Sequence, residues 1–320
     1  MSLLNHFIAR TLPFVPKGIV RRVANRYIAG ETTDDALRVA EGLNSRGIRA
    51  TLDVLGEHVQ TREQAQRAVE EYLHLLEEIA KRRVDSTISV KLTQLGLKID
   101  SRACLDFADR LVRRAKELNN FVRIDMEDSS CTSETLRIYR ELRRNHPNVG
   151  VVIQAYLRRT IDDASSMEDL KPNYRLCKGV YVESREIAYR DMRVINRNYS
   201  YLLEKLLRNG SYVGIATHDE LMVWEAFRII RDLNLPATAY EFQMLLGVDD
   251  QLRDIIHAAG HNVRIYIPFG RDWYAYSVRR LRENPQLAGY VFKAMFHASE
   301  FTDHGSKRRT RNAVGACYRH

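Results

Sequence analysis

Residues 49–92 read RATLDVLG (49–56), REQAQRAVEEYLHLLEEIAKR (62–82) and STISVKL (86–92), joined by short polar links. The outer two segments are short aliphatic and β-branched runs, whereas the middle one repeats apolar residues every three to four positions. That pattern is a strand, an amphipathic helix and a second strand. A crossover of this length joins parallel strands, which cannot be linked by a tight hairpin. The rhythm continues through 121-FVRIDME-127, 149-VGVVIQAY-156, 174-YRLCKGVY-181, 212-YVGIATH-218, 238-TAYEFQM-244 and 262-NVRIYIPF-269. Most of these runs are nearly continuous in apolar residues, as strands covered on both faces should be. Eight such units predict an α/β fold, a distorted (β/α)8 TIM-type barrel over 49–300. A doubly wound open sheet is the alternative, but neither G-x-G-x-x-G nor G-x-x-x-x-G-K occurs.

Residues 1–48 predict extra helices ahead of the barrel. Thr33 followed by Asp34 and Asp35 starts one well, and Gly47 lies near its end, so it covers the barrel floor or one flank. After the eighth strand, 272-DWYAYSVRRLRENP-285 predicts a helix stopped by Asn-Pro and laid over the barrel mouth. Residues 301–320 form a basic tail with few apolar side chains, expected to be disordered.

With 320 residues, 45% of them apolar and 28% charged, the chain can build a large core, which excludes a disordered or fibrous class. No apolar run approaches the ~18 residues a membrane span needs. The N-terminal segment lacks both a continuous apolar core and a small-residue cleavage site, so no secretory signal is expected. Cys104, Cys131, Cys177 and Cys317 lie far apart, which argues against a disulfide framework and fits a reducing compartment. The net charge is +9, from 50 Lys+Arg against 41 Asp+Glu, and the tail carries part of it, so no nucleic-acid partner is called for. His257 and His261 stand at i,i+4 without a third ligand nearby, and no metal is expected.

In a barrel, chemistry sits at the carboxyl ends of the strands. Here the eight runs end in Asp53 and Glu57; Lys91; Asp125 and Glu127; Gln154 and Tyr156; Arg175, Lys178 and Tyr181; Thr217, His218 and Asp219; Glu241 and Gln243; and Tyr266. Charged strand ends can simply mark where strands meet solvent. Eight together, with Lys91, Asp125, Arg175 and Lys178 inside apolar contexts, point to a site, because half-buried charges need partners of opposite sign. By strand alternation Arg175, Cys177, Gly179 and Tyr181 share one face, as do Gln154 and Tyr156. The surplus of cations (Lys91, Arg175, Lys178, Arg279 and Arg280) suggests that anionic groups are held, a carboxylate and a phosphate.

The stretches LDVLGE, SVKLTQLG, RIDMED, VIQAYLRR, RLCKGVYVE, IATHD, YEFQMLLG and RIYIPFG, followed by YSVRRLREN, resemble the flavin-dependent proline dehydrogenase (proline oxidase) family in its monofunctional bacterial form. The resemblance covers roughly residues 31–296, all eight strand ends in order. It implies FAD held in the barrel and oxidation of L-proline to 1-pyrroline-5-carboxylate, the first step towards glutamate. Hydride would pass from C5 of proline to N5 of FAD, and a membrane quinone would reoxidise the flavin. A separate pyrroline-5-carboxylate dehydrogenase would take the product. The resemblance also implies a cytoplasmic enzyme, peripheral on the inner face of the cell membrane, with the N-terminal segment or the basic tail as contact.

Residue by residue, the resemblance makes Arg279, Arg280 and Lys91 the carboxylate-binding trio. Tyr266, Leu245 and Tyr276 become walls against the proline ring, and Asp125 the acid that orders Lys91. Arg175 matches the arginine beside flavin N5, and Glu57 an acid that pairs with Arg279. Asp125, Met126, Gln154, Arg175, Cys177, Lys178, Gly179, Tyr181, Thr217, His218, Gln243 and Leu245 fall at positions around FAD. Asp219 stands where the bifunctional relatives commonly carry Asn. A competing enzyme reading from the residues alone is a lysine- or metal-dependent barrel aldolase or isomerase acting on an anionic small molecule.

Overall fold

The computed structural model describes residues 21, 24–56, 59–274 and 276–278. Within the compact unit Ala24–Tyr276, eight parallel strands close in sequence order into a barrel, β1 hydrogen-bonding to β8. They are β1 (Arg49–Val54), β2 (Ser86–Val90), β3 (Val122–Ile124), β4 (Val149–Gln154), β5 (Asn173–Cys177), β6 (Tyr212–Ala216), β7 (Tyr240–Leu245) and β8 (Val263–Phe269). Each lies within one of the eight runs read from the sequence, except that β5 starts one residue early and β7 ends one residue late. The helices are α1 (Thr33–Asn44), α2 (Arg62–Arg82), α3 (Ser101–Glu117), α4 (Ser129–Asn145), α5 (Thr160–Ser165), α6 (Met192–Arg208), α7 (Glu220–Asp232) and α8 (Asp250–Ala258). The helix expected over the mouth (272–285) lies largely outside the described residues, as does the tail.

Local chemistry explains where helices begin. Thr32 and Asp35 form a reciprocal capping box at α1, and Thr61 and Gln64 do the same at α2. Asp100, Asp128, Asp191, Asp219 and Asp249 accept backbone N–H bonds at five further helix starts. Helix α2 turns Val69, Tyr72, Leu75, Leu76 and Ile79 inward and ends at Arg83, whose φ of 55° stops it. Of the two positions open to α1, it takes the flank: it packs on β1 and β8.

The strands are not apolar on both faces. Their outward positions (Leu52, Val54, Ile88, Val90, Ile124, Phe242, Met244, Ile265 and Ile267) are buried against the helical ring. Their inward positions are polar: Thr51, Asp53, Ser89, Lys91, Arg123, Asp125, Gln154, Arg175, Glu241, Gln243 and Arg264 are all buried. The alternation is that of a sheet with one apolar face, here with the polar face turned into the barrel rather than to water. Two glycines make that interior fit. A Cβ on Gly150 would stand 2.6 Å from the Asn173 carbonyl and collide with the Arg123 guanidinium, and one on Gly214 would stand 2.5 Å from Gln243 Nε2.

These contacts set two substitutions apart. Gly150→Ala is expected to destabilise the fold by about 2 kcal/mol, as overpacking against fixed backbone does. Gly42→Ala, in the exposed interior of α1 with open space around it, should stabilise it by about 0.5–1 kcal/mol. Urea unfolding of both variants measures the difference in sign.

Candidate active site

Lys91 follows β2 directly and projects into the barrel beside the carboxyl end of β1. Its Nζ donates to both carboxylate oxygens of Asp53, each at 2.8 Å, and reaches the Tyr266 hydroxyl at 3.4 Å. Asp53 is wholly buried, and desolvation raises its pKa against the opposing pull of Lys91. A buried lysine facing a buried aspartate is the pairing that burial of either charge demands.

One layer across, Asp125 collects three donors and a nearby cation. Ser89 Oγ and Arg175 Nη1 donate to its Oδ1 at 2.7 and 2.8 Å, Tyr266 OH donates to its Oδ2 at 2.9 Å, and Lys91 Nζ lies 3.8 Å away. Arg175 also donates from Nη1 to Ser89 and from Nε to Gln243 Oε1, and its guanidinium lies 5.2 Å over the Tyr266 ring. Burial, and then the negative charges of Asp125 and Asp53, push the Tyr266 phenol well above its ordinary pKa. It therefore stays a hydrogen-bond donor and is no base. The resemblance gives Asp125 the task of ordering Lys91; the structure places both acids beside it, Asp53 in hydrogen-bond contact and Asp125 as an ion pair at 3.8 Å.

The network continues towards the floor. Gln243 Nε2 donates to Glu241 Oε1 at 2.7 Å, and the same oxygen accepts from Arg264 Nε at 2.7 Å. Burial alone would raise Glu241, but Arg264 and these hydrogen bonds hold its carboxyl below the usual range. Glu241, read from the sequence as a strand-end residue, is the second residue of β7 and faces the lower barrel. Its partners Arg264 and Arg123 were not anticipated. The signal was present: charged residues at alternate positions inside three apolar runs.

Around the mouth, the remaining candidates occupy the ends of β4 to β7. Gln154 Nε2 donates to the Met126 carbonyl at 3.4 Å, while its buried Oε1 has no hydrogen-bond partner. Lys178 Nζ pairs with Asp219 Oδ2 at 2.6 Å, and Asp219 in turn receives the Leu221 N–H at the start of α7. Thr217 Oγ1 accepts the Asp219 N–H at 3.0 Å, and His218 Nε2 accepts the Leu245 N–H at 2.9 Å. The shared face expected for Arg175, Cys177, Gly179 and Tyr181 ends at Cys177, where β5 ends. Gly179 has φ 110°, and its backbone packs so closely on the Tyr156 ring that no Cβ would fit. Tyr156 likewise lies past the end of β4. Beyond Gly179 the loop is pinned by Glu183, which accepts the Ser129 N–H and Oγ–H at 2.7 Å each.

Tyr276 is buried in the segment after β8. Glu57, Arg279 and Arg280 lie outside the described residues, and with them the expected Glu57–Arg279 pair. His257 and His261 each have a local partner, the Arg46 carbonyl at 3.0 Å and the Tyr240 hydroxyl at 2.9 Å. No group of three metal-ligating side chains occurs among the described residues.

Removing Lys91 isolates a wholly buried carboxylate. In Lys91→Met, Asp53 should be driven further above its unfolded pKa, so the folded state favours its protonated form. Stability relative to wild type should then fall as pH rises from about 4, the ordinary carboxylate value, towards neutrality. Urea midpoints at several pH values measure the slope.

Residues 36–291 match the family described as proline dehydrogenase. The chain is 36% identical over 272 residues to proline dehydrogenase 1 of Bacillus subtilis subsp. natto, covering 85% of this chain and 90% of that one. It is 35% identical over 278 residues to the proline dehydrogenase of Deinococcus radiodurans, with the same coverage. Among solved structures, proline utilization A (PutA) from Bdellovibrio bacteriovorus inactivated by N-propargylglycine superposes with a TM-score of 0.77 at 27% identity. That match covers 82% of this chain but only 33% of the PutA chain, so this chain spans about a third of that protein's length. With the matching barrel and the ordered strand-end residues, these likenesses lead to one conclusion: the chain belongs to the proline dehydrogenase family.

Proposed function

We propose that this protein oxidises L-proline to 1-pyrroline-5-carboxylate with FAD as resident cofactor and a membrane quinone as final electron acceptor. A separate dehydrogenase would consume the product. The observation that carries the reading is the buried cluster of Lys91, Asp53, Asp125, Arg175 and Tyr266 at the carboxyl ends of the strands, in a chain of this family.

The residues at the mouth fit a flat, phosphate-bearing cofactor. Gly179, at φ 110° and packed on the Tyr156 ring, turns the chain at the rim, and Gln154 Oε1 is a buried acceptor still open to a donor. Lys178 offers a cation at the rim. Val180 and Val182 in the same loop are 46% and 99% exposed, apolar surface of the kind an aromatic ring system covers. Gln154, Arg175, Lys178, Gly179, Thr217, His218 and Gln243 would hold FAD, with Met126, Cys177, Tyr181 and Leu245 beside it. When bound, FAD supplies the hydride acceptor for the carbon next to the substrate nitrogen.

The chain's own residues do the rest. Arg279, Arg280 and Lys91 hold the substrate carboxylate, and fixing it places the reactive C–H, an effect worth on the order of several kcal/mol. Asp53 accepts from Lys91 Nζ through both carboxylate oxygens, which fixes where that amine points as it meets the substrate carboxylate. Held by Asp53 in this way, the Lys91 amine is directed at a carboxylate rather than left open as a nucleophile. The same cations repel the substrate ammonium and favour the neutral amine whose lone pair drives oxidation. Arg175, held by Asp125 and Gln243, presents a fixed positive charge to the cofactor's reacting edge. Leu245, Tyr266 and Tyr276 wall the ring. Among the described residues no helix is long and apolar enough to cross a membrane, so quinone would be met at a surface. The N-terminal segment and basic tail proposed for that contact lie outside the described residues.

The purified protein should be yellow and should bleach anaerobically when L-proline is added; colourless protein, or colour that proline does not change, contradicts the reading. Arg175→Ala should slow flavin reduction at saturating proline about 100-fold, the size of one lost preorganised donor. Its proline affinity should change far less, and stopped-flow absorbance separates the two.

A further inference from the structure

The barrel floor holds a second polar site that the reaction does not use. Inside the barrel the buried cations Lys91, Arg123, Arg175 and Arg264 stand with the buried carboxylates Asp53, Asp125 and Glu241, while a further buried carboxylate, Glu127, is bonded to Thr93. Three cations have a carboxylate within 2.8 Å: Lys91 has Asp53, Arg175 has Asp125 and Arg264 has Glu241. Arg123 has only neutral hydrogen-bond partners, and the acid whose charge reaches it, Glu241, is already bonded to Arg264. Its guanidinium donates to the carbonyls of Val151 at 3.3 Å and Asn173 at 2.6 Å and to Asn173 Oδ1, and it lies 5.0 Å over the Phe121 ring. Burial, and then the like charge of Arg175, lower its pKa to about 9. A cation only 4% exposed that shares its acid with a second arginine is an unusual burden for a folded core.

Beside it lies a cavity of about 200 Å³, bounded in part by Arg123, Arg175, Arg264, Glu241, Gln243 and Tyr212. Gly150 helps to leave this space, since a Cβ there would strike the Arg123 guanidinium. Glu241 Oε2 is buried, has no hydrogen-bond partner and lies 3.7 Å from Arg49 Nη1. We infer that this cavity, lined by three arginines and one carboxylate, is a binding site for a small monovalent inorganic anion such as chloride, which supplies Arg123 with a counter-charge of its own. At about 30 Å³ per water, the space holds an anion and several waters, one of which can donate to Glu241 Oε2. The Glu241 carboxylate sets the class of ligand, because it would repel a divalent oxyanion far more than a halide. Arg175 and Gln243 line the same cavity, so the anion lies behind the arginine proposed to face FAD. That last consequence rests on the proposed function; the anion site does not.

The test uses the full-length protein with whatever cofactor it retains, exchanged into sodium gluconate and titrated with sodium chloride at constant ionic strength. Thermal unfolding should show a rise in Tm that grows with the logarithm of chloride concentration above its Kd, about 2 °C at a tenfold excess. Arg123→Met should abolish this rise. If that variant does not fold, crystals of the wild-type protein soaked in bromide give the second arm, with an anomalous peak expected within hydrogen-bond distance of Arg123. A response identical in gluconate and chloride, a full response retained by Arg123→Met, or a floor cavity without bromide overturns the inference. Because neither readout involves proline or flavin, failure here leaves the enzymatic reading untouched, and the reverse also holds.

Discussion

A charge taken out of water must find an opposite charge or a full set of hydrogen bonds, and the barrel interior is organised around that requirement. Lys91 against Asp53, Arg175 against Asp125 and Arg264 against Glu241 are three such solutions, stacked from the mouth to the floor. Such pairs add little net stability over an apolar core, but breaking one is costly, so they impose a unique arrangement more than they strengthen it. Stability itself must come from elsewhere: the apolar outer faces of the strands, packed under capped amphipathic helices. Glycines 150 and 214 yield the volume that the long side chains of Arg123 and Gln243 need.

The network also makes the site rigid before any ligand arrives. Arg175 is held from three directions, by Asp125, Ser89 and Gln243, and Gln243 has its amide orientation set by Glu241. A guanidinium fixed in this way costs no reorganisation when charge develops near it, which is the condition for electrostatic catalysis. Tyr266, donating to Asp125 and approached by Lys91, ties the two upper pairs together. The rim is built differently, from short loops fastened by Glu183 and Asp219, where single side chains rather than a ladder hold the geometry.

The eight strands could be read from the sequence because β-branched runs between amphipathic helices are local patterns, and the strand ends marked the site at once. The polar interior was harder. Runs such as TISV and VRI look continuous when read linearly, because serine, threonine and a lone arginine barely interrupt them; only closure into a barrel shows that these residues all face one axis. Asp53 was visible as an acid in an aliphatic run, but its choice of Lys91 over other partners depends on the β1–β2 register, in which Asp53 pairs with Ser89, two residues before Lys91. Glu241 and Gln243, two residues apart in one strand, looked equivalent and lie at different depths. The rim roles of Gln154, Lys178, Thr217 and His218 came from resemblance alone, since nothing in their spacing announces a cofactor.

Paired charges inside the barrel, rather than its apolar layers, hold Arg175 in place. A double-mutant cycle on Asp125 and Arg175, read by urea unfolding of Asp125→Asn, Arg175→Met and the double variant, addresses it directly. A coupling of about 2 kcal/mol or more is expected, the double variant losing less than the sum of the two single variants. A coupling below about 0.5 kcal/mol, the scatter expected of independent sites, would contradict it.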